Sequence, residues 1–173
     1  MPLPGCSISV GLDGQQALVR LAGRLAAESA PAFEKLIVRL KASGVRCAVL
    51  DLSDALLMDS GFSGTLSRMI GAGGIAFALH GTPQRVLDGL DDHGVLEQVT
   101  NLETGITPGS VTATAIDLGP ADRSEVLRCC LDAHRALMAL KPENVAKFET
   151  VEKFLSREVE KLQSPTSTAR ASG

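Results

Sequence analysis

The side chains best suited to metal binding or nucleophilic work are three histidines, His80, His93 and His134, and four cysteines, Cys6, Cys47, Cys129 and Cys130. Their spacing argues against both uses. No C-x-x-C pair occurs and no His-x-x-x-His accompanies the thiols, so a zinc site is not expected. Cys47 reads as a small apolar strand residue and the other cysteines as reduced thiols, without structural disulfides. His134 falls on an apolar helical stripe, where a satisfied, partly buried imidazole is expected rather than a catalytic base. The run Gly71-Ala-Gly73-Gly74 follows a helical pattern and precedes a strand pattern. That order is the reverse of the one that aims backbone amides at phosphate, so the run reads as a loop. With no nucleophile elbow, phosphate loop or metal motif, the sequence predicts no catalytic residue, no cofactor and no metal.

One constellation stands out: Val49-Leu-Asp-Leu-Ser-Asp-Ala-Leu-Leu-Met-Asp59-Ser60-Gly61-Phe62-Ser63-Gly64-Thr65-Leu66. A buried strand leads through a short polar turn into a helix. Asp59 or Ser60 at that helix N-terminus can accept hydrogen bonds from the first free backbone amides.

The elements that must position this turn follow from periodicity. Ile8, Val10 and Leu12 alternate with polar residues, Asp13-Gly14 forms a turn, and Ala17 to Leu21 alternates again, which predicts a β-hairpin. Ser29 offers a helix cap, Pro31 sits in the first turn, and Phe33, Leu36, Ile37 and Leu40 lie on one helical face before Ser43-Gly44 ends it. Cys47-Ala-Val-Leu-Asp-Leu52 is a nearly continuous apolar run, suited to a central strand buried on both faces. Phe62, Leu66, Met69 and Ile70 predict the next helix, and Ile75 to Leu79 the next strand. Pro83 opens a helix carrying Val86, Leu87 and Leu90, closed by His93-Gly94, after which Val95, Leu96 and Val99 predict a short edge strand. Such alternation implies an α/β unit with a mainly parallel or mixed sheet.

From Asn101 to Pro120 the chain shifts to Thr, Gly, Ser and Pro without periodicity and reads as a linker. Leu127, Cys130, Leu131, His134 and Met138 then form one stripe, and Phe148, Val151, Leu155, Val159 and Leu162 another after Lys141-Pro142. These predict a helical hairpin over 121–163, whose apolar edges must be buried on the sheet unit, against each other or in a homodimer. Residues 164–173 are small and polar, and disorder is expected there.

The chain's 173 residues carry a net charge of −3, with no Trp, no Tyr and five Phe. The acidic balance and the scarcity of aromatic platforms argue against nucleic-acid binding. No apolar run is long enough to cross a bilayer, and the N-terminus lacks a basic region followed by an apolar core. The expected location is the cytoplasm.

The constellation ending in Asp59-Ser60-Gly61-Phe62 resembles the STAS domain of bacterial anti-sigma factor antagonists, in which an apolar strand ending in Asp leads through a short loop to Asp-Ser-Ser-Gly or Asp-Ser-Thr-Phe at a helix start. The likeness extends from about Ile8 to Val99. Gly23-Arg24-Leu25 followed by Ala30-Pro31-Ala32-Phe33 is similar to the family's second strand and first helix, and Leu87 to Val99 to its last helix and terminal edge segment. The resemblance implies a STAS-like domain over 1–100, with a mixed four- to five-stranded sheet and packed helices, a linker over 101–120 and the C-terminal hairpin beyond. The implied function is that of a partner-switching module, not an enzyme, which binds an anti-sigma factor of the ATPase-type serine kinase class. Asp59, Ser60, Gly61, Phe62 and Ser63 would form the docking edge. In the family the kinase phosphorylates the second hydroxyl of the triplet, a position that here aligns with Gly61. Ser60 and Ser63 are left as the candidate phosphorylation sites, with Thr65 the next hydroxyl, and Ala26 stands where the family has an Asp beside the loop. The alternative implied function is a cytoplasmic accessory subunit of a lipid or anion transporter.

Overall fold

A computed structural model describes residues 5–99 and 106–164. The predicted hairpin is present as β1 (Ser7–Asp13) and β2 (Gln16–Leu25), antiparallel with Val10 opposite Val19. Helix α1 (Ala30–Ala42) follows, with Pro31 in its first turn and Phe33, Leu36, Ile37 and Leu40 buried. Then come β3 (Cys47–Asp51), β4 (Ala55–Met58), α2 (Ser60–Gly71), β5 (Ala76–His80) and α3 (Gln84–Asp92). A two-residue strand, β6 (Thr114–Ala115), and two long helices, α4 (Arg123–Leu140) and α5 (Pro142–Gln163), complete the described chain. The architecture is α/β, with a mixed six-stranded sheet.

Strand order is β5-β3-β2-β1-β6, with β4 paired to β2 off that path. The apolar run at Cys47 therefore occupies the central position expected of it. Its alternation divides it between two faces. Ala48 and Leu50 join the core under the helices with Val19, Leu21, Phe33, Phe62 and Phe77. Val49 instead meets Leu18, Ala78 and Ile106 on the opposite face.

Two strands enlarge the four- to five-stranded expectation. β4 lies in the stretch read as a polar turn. β2 is ten residues long, and β3 pairs parallel with only its first half, Gln16–Arg20. Its second half accepts β4, in parallel, with Gly23 opposite Ala55 and Leu25 opposite Met58 across a bulge at Gly23/Arg24. A four-residue strand is too short to show a period, but the unpaired backbone of a long neighbour captures it.

The second addition, β6, comes from the 101–120 linker, pairing Val10 with Thr114 and Ser9 with Ala115. From the same segment Ile106, 1% exposed, closes the second sheet face with Val111 beside it. The segment is thus partly built into the sheet, although its lack of periodicity reads as loop. Residues 100–105 of that linker lie outside the described residues, as do 165–173 of the expected disordered tail.

The expected edge strand at Val95, Leu96 and Val99 is a 3₁₀ turn over Leu96–Gln98. Val95 is fully buried, and the chain coils around that plug through Gln98 N to Val95 O (3.0 Å) and Val99 N to Leu96 O (3.2 Å).

The C-terminal stripes form helices as expected. α4 starts with a reciprocal capping box between Asp122 and Glu125, and Pro142 occupies the first turn of α5. Of the burial sites left open by the sequence, the hairpin uses two. Leu131, Leu155 and Val159 pack between α4 and α5, whereas Cys129, Leu137 and Phe148 join the main core.

Candidate functional site

Asp59 organises the start of α2. Its Oδ1 accepts from Phe62 N at 2.9 Å, a side-chain cap that satisfies one otherwise free amide. Its Oδ2 accepts from Ala27 N at 3.0 Å, and its own backbone N donates to Leu25 O at 2.9 Å. One residue thus ties the helix start to the end of β2 and the turn before α1.

The strand preceding this turn is anchored by a second carboxylate. Asp51 is 3% exposed, accepts from Ser53 Oγ (2.6 Å), Ser53 N (3.1 Å) and Arg20 Nε (3.0 Å), and sits beside the turn into β4. Burial alone would raise its pKa, but the Ser53 and Arg20 hydrogen bonds together outweigh that and hold it below the ordinary carboxylate range.

The hydroxyls of α2 face neighbouring elements instead of bulk water. Ser60, half-buried, lies 3.0 Å from His134 Nε2, and His134 Nδ1 lies 2.7 Å from the Cys130 carbonyl. A carbonyl only accepts, so Nδ1 is the donor there, and in the neutral imidazole Nε2 then accepts from the Ser60 hydroxyl. Ser63 is 1% exposed, with Oγ 3.0 Å from His93 Nδ1. Phe148 stands edge-on to both imidazoles, 5.4 Å from His93 and 5.3 Å from His134. Thr65 donates to Gly61 O at 2.9 Å and meets Cys129 Sγ at 3.4 Å, and Ser67 donates to Gln98 Oε1 at 2.8 Å.

The five expected docking residues therefore sit in one continuous turn, but in different environments. Asp59 and Ser60 remain half-buried, whereas Gly61, Phe62 and Ser63 are buried. Phe62 is a core residue, stacked at a tilt on Phe33 with ring centroids 5.0 Å apart. At Gly61, the position the resemblance aligns with the acceptor hydroxyl, a Cβ would lie 2.9 Å from Ala27 Cβ. No side chain fits there unless the neighbouring turn shifts.

Chemically, Ser60 and His134 have the spacing of a nucleophile and its base. The group orienting His134 is a carbonyl of its own helix, and the imidazole is 4% exposed against Phe148. A cleft of about 390 Å³ between α1 and α4 is lined by Val38, Arg39, Arg128 and Cys129, among others, but not by Ser60 or His134. The pair is accordingly a part-buried, mutually satisfied contact. Burial pushes the thiols of Cys129 and Cys130 up to about 11, away from nucleophilic use at neutral pH. Burial also lowers the pKa of His93. Among the described residues no group of three His, Cys, Asp or Glu side chains is placed to hold a metal ion, and no helix is long and apolar enough to cross a membrane.

Two features of this site escaped the sequence reading. His93 and His134 are 41 residues apart in the chain, yet both reach hydroxyls of α2. Their only sequence signal is polarity in otherwise apolar surroundings, which His134 displays on its stripe. Ala27 has no signal, because its part is played by a backbone amide. No family model matches the chain, and no curated protein does either.

Proposed function

We propose that the chain is a non-enzymatic partner-switching module of the STAS anti-sigma-antagonist kind, with the Asp59-capped start of α2 as the element that engages an ATPase-type anti-sigma regulator. The observation that carries this reading is the two-sided use of Asp59, which fixes the helix start against the β2–α1 turn while leaving Ser60 in the first turn of the helix. Ser60 is the favoured modification site, since Ser63 is 1% exposed and Gly61 has no hydroxyl. A phosphate there would sit at a helix N-terminus, where the dipole favours negative charge. The same phosphate would add a charge of about −2 beside Asp59 and penalise a docked partner that lacks Arg or Lys at that point.

The test is capture from lysate of the native host by the full chain, with mass spectrometry of the bound proteins, comparing wild type with Ser60→Glu and Ser60→Ala. The expected result is an ATPase-type regulator bound by wild type and Ser60→Ala and lost by Ser60→Glu. Equal recovery by Ser60→Glu would refute the electrostatic switch. Recovery of transporter subunits instead would assign the chain to a transporter.

A further inference from the structure

The face of α2 that the proposed reading requires is covered by the protein's own α4. Gly64 of α2 lies directly against Ala133 of α4. A Cβ on Gly64 would fall 2.8 Å from Ala133 Cβ and closer still to the Ala133 carbonyl group, so only a glycine admits this crossing. Ser60 to His134 and Thr65 to Cys129 bond across the same interface.

Three observations separate this cover from the core it rests on. First, the hairpin contributes Cys129, Leu137 and Phe148 to the buried main cluster, with Met138 and Leu140 half-buried against it, while the cluster's other buried members all come from the sheet and from α1 to α3 and the segments joining them. Second, the hairpin holds itself together. It has its own cluster of Leu131, Leu155 and Val159, its own ion pairs Arg135–Glu152 (2.9 Å) and Arg123–Glu158 (3.4 Å), and its own capping box at Asp122 and Glu125. Third, the seam is mixed, with polar contacts beside those apolar ones. Besides the hydroxyl contacts, it is crossed by the ion pairs Lys35–Glu125 (2.6 Å), Lys147–Asp92 (2.7 Å) and Arg68–Asp132 (3.8 Å). Buried Asn144 donates to His93 O and Leu137 O, while its Oδ1 has no hydrogen-bond partner among the described residues. Polar groups in such a seam are rehydrated on separation, and surface ion pairs add little.

We infer that the α4–α5 hairpin is a displaceable internal cover, which occupies the α2 face as a helix with a small residue at the crossing and must move before a partner helix of the same character docks there. Its regulatory meaning rests on the docking reading above. Its physical content does not.

Hydrogen exchange with mass spectrometry on the full wild-type chain, across low urea concentrations, tests the separation. Amides of α4 and α5 are expected to exchange together, at least tenfold faster than those of β2, β3 and β5. Ala133→Leu adds bulk at the crossing from the α4 side, leaves α2 unaltered and keeps a good helix former. It is expected to raise hairpin exchange a further tenfold without changing the sheet. Should the hairpin and the sheet exchange at one rate with one urea dependence, the inference is overturned, and wild type alone decides this if the variant does not fold. In the capture experiment, Ala133→Leu is expected to recover several-fold more regulator than wild type, and equal recovery overturns the competition. Exchange is read without any partner. A failed capture therefore counts against the docking reading, while separate opening still upholds the cover.

Discussion

Replacing Asp59 by Ala removes two acceptors at once, and the cost follows from their geometry. The cap on Phe62 N (2.9 Å) belongs to a class worth about 1 kcal/mol. The bond from Ala27 N (3.0 Å) is lost as well, and stranding that part-buried donor costs about 1–3 kcal/mol. Asp59 is itself half-buried, so water offsets part of the second loss, and a total of about 2–3 kcal/mol is expected. For a chain of this length each kcal/mol moves the thermal midpoint by about 2–4 °C, giving a fall of roughly 4–12 °C. Asp59→Asn retains an oxygen for one donor and should cost about half as much. The assay is urea unfolding followed by far-UV circular dichroism, with thermal melts as a check. A midpoint for Asp59→Ala within error of wild type, at unchanged urea slope, would refute the claim that Asp59 joins α2 to the β2–α1 turn. A normal midpoint for Asp59→Asn beside a large loss for Ala would instead mean that one bond carries the whole effect.

The core beneath the site and its ionisable groups yield further expectations. Phe62→Ala empties a fully buried position against Phe33 and should cost about 3–5 kcal/mol in urea unfolding, whereas Phe62→Leu should retain more than half of that. His93, its pKa lowered chiefly by burial, faces Asp92, which favours its charged form, and Lys147, Lys141 and His134, which oppose it. Above its unfolded pKa of about 6.5 both states are neutral there and stability is full. Below that value the unfolded chain binds a proton that the folded chain resists, so thermal midpoints should fall as pH drops below about 6.5, and His93→Gln should flatten that slope. Asp51 acts in a lower window. Its depressed pKa contributes stability that is present above about pH 4 and is lost as pH falls further, and Arg20→Ala should shrink this acid-range loss.

The elements and the site differ in how far they could be read from the chain, and the difference has a physical basis. Helices α1 to α5 and the strands β1, β2, β3 and β5 carry periodic apolar patterns or terminal signals such as Pro31, Pro83 and Pro142, so local sequence announces them. β4, β6 and the burial of Ile106 have no such pattern. Each exists because a neighbour leaves something unmet: the second half of β2 leaves its backbone unpaired, the outer edge of β1 does the same, and Leu18, Val49 and Ala78 leave an apolar face open. The site divides likewise. Asp59 as a cap was readable because its chief partner, Phe62 N, is three residues away, whereas its bond to Ala27 and both serine–histidine contacts span 30 to 74 residues. Docking edges suffer most from this limit, since a hydroxyl-rich helix face has the same sequence whether water, a partner or the chain itself covers it. On α2 the deciding residue is Gly64: a glycine within a helix costs about 1 kcal/mol relative to alanine, and here a Cβ would collide with Ala133. The collision names a backbone crossing as the reason a glycine stands there, and so marks that face as one that receives a helix.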